Sequence, residues 1–243
     1  MVIERGVIVT GGLGDIGVAV ARAFARQGAS LMLVDAREDR GGAAEALLAE
    51  GASQVLIRTA DIADTNAVAA AAAAAQEAFG SLDVVVNVAG IMIYKPLAEL
   101  EAADWRRLLD VNLVGAAMFI GEAFRRMTPG GCIVNIASVH ARRTSALVAP
   151  YAAAKAALVS LTRSAAIEGK PLGIRVNAIL PGAIEGALLR ASPTIASGAE
   201  VVDPADLGQP DDVAALAAFL ASDAARFITG EDIVADGSRM GRL

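Results

Sequence analysis

Eight residues constrain this chain more than any others: "TGGLGDIG", Thr10 to Gly17. They follow a short apolar, β-branched run, "GVIVT" (6–10), and open a helical pattern near 16–27. A glycine-rich turn between a buried strand and a helix commits the chain to a βα unit. The helix N-terminus then faces the turn with free N–H groups and the positive end of its dipole. Two patterns overlap in the loop. From Gly12 it is G-x-G-x-x-G (Gly12, Gly14, Gly17), the dinucleotide fingerprint; from Thr10 it is T-G-x-x-x-G-x-G, except that Asp15 replaces the middle glycine. Such a turn cradles a pyrophosphate on the backbone around Gly11, Ile16 and Gly17. Asp15 is expected to point outward, where its carboxylate caps helix N–H groups and suits the dipole. Pointing inward, it would oppose the phosphates.

Beyond the loop, short β-branched runs alternate with helical stretches. The strands read as 6–10, 30–35, 54–58, 84–87, 132–137, 175–180 and 232–236, and the helices as 16–27, 39–50, 65–79, 101–126, 150–169 and 211–222. That order predicts right-handed crossovers and one α/β domain over 1–243, with about seven parallel strands and helices on both faces. The residues are 55% hydrophobic but only 4% aromatic, as buried parallel strands built from Val, Ile, Leu and Ala require. The stretch 184–207 lacks strong periodicity and is either a surface loop or a lid. It follows the carboxyl end of a strand, where ligands bind in doubly wound sheets, and that favours the lid.

Several function classes drop out. A net charge of −6 with no basic patch argues against nucleic acid as a partner. Cys132 is the only cysteine and His140 the only histidine, which leaves no disulfide, no Cys- or His-based metal site and no Ser-His-Asp triad. No apolar run is long enough for a signal peptide or a membrane helix, so a soluble cytoplasmic protein is expected.

The second strand ends in Asp35, 18 residues beyond Gly17. A carboxylate there accepts from the adenosine ribose hydroxyls and repels a 2′-phosphate, which favours NAD; the bland alternative is a strand-end aspartate that caps the next turn. Arg37 keeps NADP open, since its guanidinium can pair with a 2′-phosphate or lie along the adenine.

"YAAAK" places Tyr151 and Lys155 four residues apart, one turn along the same helix face. Alone, that pair also describes an ordinary helix surface. Thirteen residues earlier, Ser138 lies just past the fifth strand, at the carboxyl edge. A tyrosine has a pKa near 10 and is a poor base at neutral pH, but a neighbouring ammonium and a cationic nicotinamide favour its phenolate. The Ser138 hydroxyl can then hold a substrate oxygen. Together these groups suffice for hydride transfer with proton exchange.

With "TGGLGDIG", Asp61-Ile62, "NVAG" (87–90), Asn112, Ser138, "YAAAK", "RVNAILPG" and "ITGEDIVADG" in order, the chain resembles a classical short-chain dehydrogenase/reductase along essentially its whole length. The resemblance implies a Rossmann-type fold and assembly as a homodimer or homotetramer through the 101–126 and 150–169 helices. It makes Tyr151 the general acid/base. Lys155 holds the nicotinamide ribose and lowers the tyrosine pKa, Ser138 polarises the substrate oxygen, and Asn112 anchors a water that links Lys155 to solvent. Asp61 and Ile62 border the adenine. Asn87, Ala89 and Gly90 pass beneath the middle of the cofactor, and Pro181, Gly182 and Ile184 meet its nicotinamide end. Val88 departs from the usual N-N-A-G. Glu185-Gly186 stands where family members often carry a threonine that bonds the cofactor.

His140 is placed to bond a substrate hydroxyl or simply to wall the pocket. Met92, Ile93 and Leu188 make that pocket partly apolar, while Cys132 and Trp105 read as packing residues. The expectation is an NAD-dependent dehydrogenase for a secondary alcohol: a sugar or polyol, a hydroxy acid or a cyclic alcohol. The alternatives are an NADPH-dependent reductase of 3-oxoacyl groups and, more remotely, an NAD-sensing protein without turnover.

Overall fold

The computed structural model describes residues 5–198 and 201–242. Seven parallel strands form one sheet in the order β3-β2-β1-β4-β5-β6-β7. They are β1 (Gly6–Thr10), β2 (Ser30–Asp35), β3 (Gln54–Thr59), β4 (Val84–Asn87), β5 (Cys132–Ile136), β6 (Arg175–Pro181) and β7 (Asp232–Ala235). β1, β2, β4 and β5 are buried along their whole length, which explains why they read as continuous apolar runs rather than alternating ones.

Two layers of helix cover the sheet. Val7, Val9, Leu31 and Leu33 face Phe24 of α1 (Asp15–Ala25), Leu47 of α2 (Ala43–Ala49) and Leu220 of the C-terminal helix (Pro210–Ala221). Ile8, Met32 and Val85 point the other way, onto α3 (Thr65–Phe79) through Val68 and onto a helix at Gly115–Arg126 through Phe119 and Ile120. This alternation along β1 is the period-two placement of side chains on a pleated strand.

The helix expected over 101–126 is divided. It runs as α4 (Ala102–Leu109), widens to a π turn at Asp110–Val114, and resumes as α5 (Gly115–Arg126). α2 is shorter than expected, because Asp39 spends its carboxylate on the amides of Gly41 and Ala43 and keeps 39–42 as a turn. α6 (Ala149–Gly169) starts with Pro150 in its first turn. The 184–207 segment contains two single-turn helices, α7 (Ala187–Arg190) and α8 (Pro193–Ala196); residues 199–200 lie outside the described residues, as do 1–4 and 243. α9 (Pro210–Ala221) begins with a reciprocal cap between Gln209 and Asp212. Among the described residues no helix is long and apolar enough to cross a membrane.

A buried polar chain ties α6 to the sheet centre. Asn87 Nδ2 donates to Asn135 Oδ1 at 2.9 Å, and Asn135 Nδ2 donates to Thr162 Oγ1 at 2.9 Å. The Thr162 hydroxyl donates in turn to the Leu158 carbonyl at 2.8 Å. Asn135→Leu keeps the volume but leaves the Asn87 amide buried without an acceptor. It should cost roughly 2–4 kcal/mol in urea unfolding; an unchanged midpoint would show that the chain of bonds contributes nothing.

Candidate active site

The strand order reverses between β1 and β4, and the loops leaving these strands diverge to open a crevice at the carboxyl edge. Thr10 Oγ1 accepts from the amides of both Val88 and Ala89, at 3.1 and 3.2 Å. Gly11 adopts φ +61°, and a Cβ there would come within 2.8 Å of Ala89 Cα, so only glycine lets the two loops approach this closely. A Cβ at Gly17 would fall on the Gly11 carbonyl. The crevice deepens into one cavity of about 530 Å³ that runs from the glycine loop past Ser138 to Leu188 and Arg239. A backbone cradle that any Cβ would fill, at the start of α1 and under an elongated cavity, fits a dinucleotide.

At one end of the cavity is Asp35, 6% exposed. Its Oδ2 accepts from the Leu13 amide at 3.0 Å, which fixes the glycine loop, and its Oδ1 accepts from the amide and Nε of Arg37, both at 3.0 Å. Burial raises the carboxyl's pKa, but the Arg37 and Leu13 hydrogen bonds outweigh it and hold Asp35 below its ordinary value. Asp35 thus caps the turn that follows β2 while lining the cavity. Nearby, Asp61 pairs with Arg107 at 2.7 Å, and Ile62 is buried against Gly115 at the start of α5, where a Cβ would meet its side chain.

At the other end, Ser138, Tyr151 and Lys155 come together, all at most 6% exposed. Ser138 lies two residues past β5 and accepts from the His140 amide at 3.2 Å. Lys155 donates to the Ile136 carbonyl at 2.8 Å, and its Nζ is 5.7 Å from the centre of the Tyr151 ring. Burial pushes the Tyr151 phenol up to about 12, against a lowering by the Ser138 hydrogen bond. Burial brings the Lys155 amine down to about 8. The expected lowering of the tyrosine by its lysine is therefore not a property of the free protein, where desolvation dominates. His140 packs edge-on to Tyr151, with ring centres 5.8 Å apart, and its Nδ1 lies 3.1 Å from Thr144 Oγ1. Behind this wall Asp232 of β7 holds both Arg142 and Arg163, the latter at 2.7 Å.

The cavity is lined by every residue expected at the cofactor or the substrate except Asn87, Asn112 and Ile93, the last of which packs with Leu108, Val148 and Ala154 instead. Asn87 is buried beneath the loop it was expected to form, bonded to Asn135. Asn112, in the π turn, spends its side chain on Ile91 and Leu108: Oδ1 accepts from the Ile91 amide at 3.1 Å, and Nδ2 donates to the Ile91 and Leu108 carbonyls, each at 3.0 Å. Asp15 also departs from expectation. Its carboxylate reaches across to accept from the Ala187 amide at 2.8 Å instead of capping its own helix. Pro181, Gly182 and Ile184 line the cavity as expected. Tyr94 and Arg239 were missed; Tyr94 Oη donates to the Leu188 carbonyl at 3.4 Å. Both lie outside the regular elements that periodicity picks out.

The family model described as enoyl-(acyl carrier protein) reductase matches residues 12–238. This chain belongs to the short-chain dehydrogenase/reductase family. It is 40% identical to cis-4-hydroxycyclohexanecarboxylate dehydrogenase of Sinomonas cyclohexanicum, over 96% of each chain. It is 38% identical to L-rhamnose 1-dehydrogenase (NAD(P)(+)) of Azotobacter vinelandii, over 98% of this chain and 97% of that one. A short-chain dehydrogenase from Burkholderia cenocepacia, solved in complex with NADP, superposes with a TM-score of 0.87 at 32% identity, over 96% of each chain. As a short-chain dehydrogenase, the chain is an NAD(P)-dependent oxidoreductase acting on the CH–OH group of secondary alcohols.

A lysine held at about 8 in the fold and near 10.4 when unfolded destabilises the protein fully below pH 8, and the penalty fades as pH climbs to about 10.5. Lys155→Met should therefore unfold later than wild type at pH 7, by on the order of 3 kcal/mol at most. The gap should close between pH 8 and 10.5 in urea titrations. A gap independent of pH would mean that burial does not strain Lys155.

Proposed function

We propose that the chain oxidises a small or medium secondary alcohol with NAD as its cofactor and Tyr151 as general base. The observation that carries this reading is one cavity with the glycine loop and Asp35 at one end and Ser138, Tyr151 and Lys155 at the other. In this reading the substrate hydroxyl lies between the Ser138 hydroxyl, which holds its oxygen, and Tyr151, which takes its proton. The bound nicotinamide supplies the hydride acceptor. Lys155 binds the nicotinamide ribose and, as an ammonium, favours the phenolate over the phenol. Asn112 serves by holding Ile91, and with it the floor of the crevice; a water on the widened turn completes the proton path through Lys155.

Asp35 supports NAD, because its carboxylate at the ribose end resists a 2′-phosphate. Arg37 supports a second reading: its exposed guanidinium, now paired to Asp35, would leave that pair for a 2′-phosphate, as an NADP-dependent reductase would use it. Residues 184–198 and 201–207 act as the substrate lid, with Leu188, Leu189 and Ile195 facing the cavity. His140 and Tyr94 add polar contacts to a substrate end that Met92, Leu188, Leu189 and Ile195 make partly apolar. That mixture, with relatives named for a hydroxylated ring acid and a sugar, supports a ring-bearing polar alcohol. Met118 on α5 and Ile167 on α6 are exposed apolar residues, which supports a homo-oligomer built on those helices.

Tyr151→Phe should lower kcat by roughly 10²–10⁴, with NAD⁺ affinity by calorimetry nearly unchanged. Full activity in the variant would remove Tyr151 from the chemistry. Because the phenol must ionise to accept the alcohol proton, oxidation should speed up as pH rises and ketone reduction should slow; parallel profiles in the two directions would contradict this. Calorimetry should also give tighter binding of NAD⁺ than NADP⁺, and Arg37→Ala should weaken NADP⁺ by about tenfold, near 1.4 kcal/mol. Tighter NADP⁺ binding by wild type would turn the assignment to a reductase.

A further inference from the structure

Asp15 stands where the loop pattern calls for glycine, and its side chain does something a glycine cannot. Its Oδ2 accepts from the Ala187 N–H at 2.8 Å, joining the first residue of α1 to the segment on the far side of the cavity. Gly186 is fitted to this contact, since a Cβ there would come within 2.6 Å of the same oxygen. Tyr94 Oη reaches the Leu188 carbonyl at 3.4 Å, and the Ile184–Gly208 bridge ties the segment's two ends together at the base. This segment presents Leu188, Leu189 and Ile195 to the cavity.

We propose that Asp15 is a positioning residue that pins the 184–198 segment over the substrate end of the cavity while setting a negative charge beside the diphosphate site. The pin itself stands on the hydrogen bond and the Gly186 fit. The charge effect rests also on the reading that the dinucleotide diphosphate lies along the glycine loop. Two anions near the same helix start repel, and salt screens the repulsion because Asp15 is exposed. Arg37 is the cation close enough to feel Asp15, and it is engaged by Asp35. The two jobs of Asp15 therefore pull in opposite directions and separate by substitution. Asp15→Asn keeps an acceptor oxygen and loses the charge. Asp15→Ala loses both. Ala187→Pro removes only the donor, at a first-turn helix position that suits proline.

Amide hydrogen exchange on the whole protein, without cofactor, tests the pin. The amides of Arg190, Ala191 and Ser192, each hydrogen-bonded within the segment, report its opening. Asp15→Ala and Ala187→Pro should speed their exchange about tenfold or more, and Asp15→Asn should hold it near wild type. Wild-type exchange in both Asp15→Ala and Ala187→Pro would overturn the proposal, as would loss in Asp15→Asn equal to that in Asp15→Ala. Should Asp15→Ala unfold globally, Ala187→Pro decides alone. Calorimetry with NAD⁺ tests the charge: Asp15→Asn should bind several-fold tighter than wild type at 50 mM salt, with the difference shrinking at 500 mM. Equal affinities at low salt would overturn the charge effect, and no binding by any form would instead refute the cofactor reading and leave the exchange result standing.

Discussion

One hydroxyl oxygen, Thr10 Oγ1, holds the two loops of the crevice at a fixed separation by accepting from the amides of Val88 and Ala89. Parallel strands leave their last N–H groups unpaired at the carboxyl edge, and at a topological switch point the two loops turn away from each other. Without a local acceptor, water would enter between them. With Thr10 in place, Gly11 packs against Ala89 and the turn into α1 closes tightly enough to present its backbone. Asp35 then sets the height of that turn through the Leu13 amide. The cavity is in this sense built from its glycine-loop end outward.

The opposite end works on a different principle. Lys155 and Tyr151 are both almost fully removed from water, and burial moves them in opposite senses, the amine down to about 8 and the phenol up to about 12. At neutral pH the phenol therefore rests neutral, while the amine stays mostly an ammonium but close to its titration point. An apolar setting of this kind makes the pair sensitive to any charge brought close, since little solvent intervenes to screen it. The buried Asn87–Asn135–Thr162 chain keeps α6 seated on the sheet, so that this sensitivity is not lost to movement of the helix.

Much of this was legible in the sequence. The strands were readable almost to the residue, because full burial on both faces leaves only β-branched and aliphatic residues between glycine and polar breaks. The meeting of Ser138, Tyr151 and Lys155 was readable because helical spacing and strand-end position are both written in sequence distance. The interruption at Asp110–Val114 was not, since a π turn keeps apolar periodicity nearly intact and differs by one residue of register. The partners of Asn112 and Asp15 were hidden for a second reason. Ile91 lies 21 residues away and Ala187 lies 172, and no local pattern encodes which carboxylate or amide a backbone group meets across the fold. Tyr94 and Arg239 were invisible on the same ground.

Asp232 gives the architecture a temporal side. This one carboxylate, on the last strand, clasps Arg142 and Arg163, and so braces the loop behind Ser138 against the edge of the sheet. A ribosome delivers the glycine loop before Ser138, Tyr151 and Lys155, and Asp232 after all of them. The loop beside Ser138 is therefore braced by the last of the seven strands to be made, and not by its neighbours in sequence.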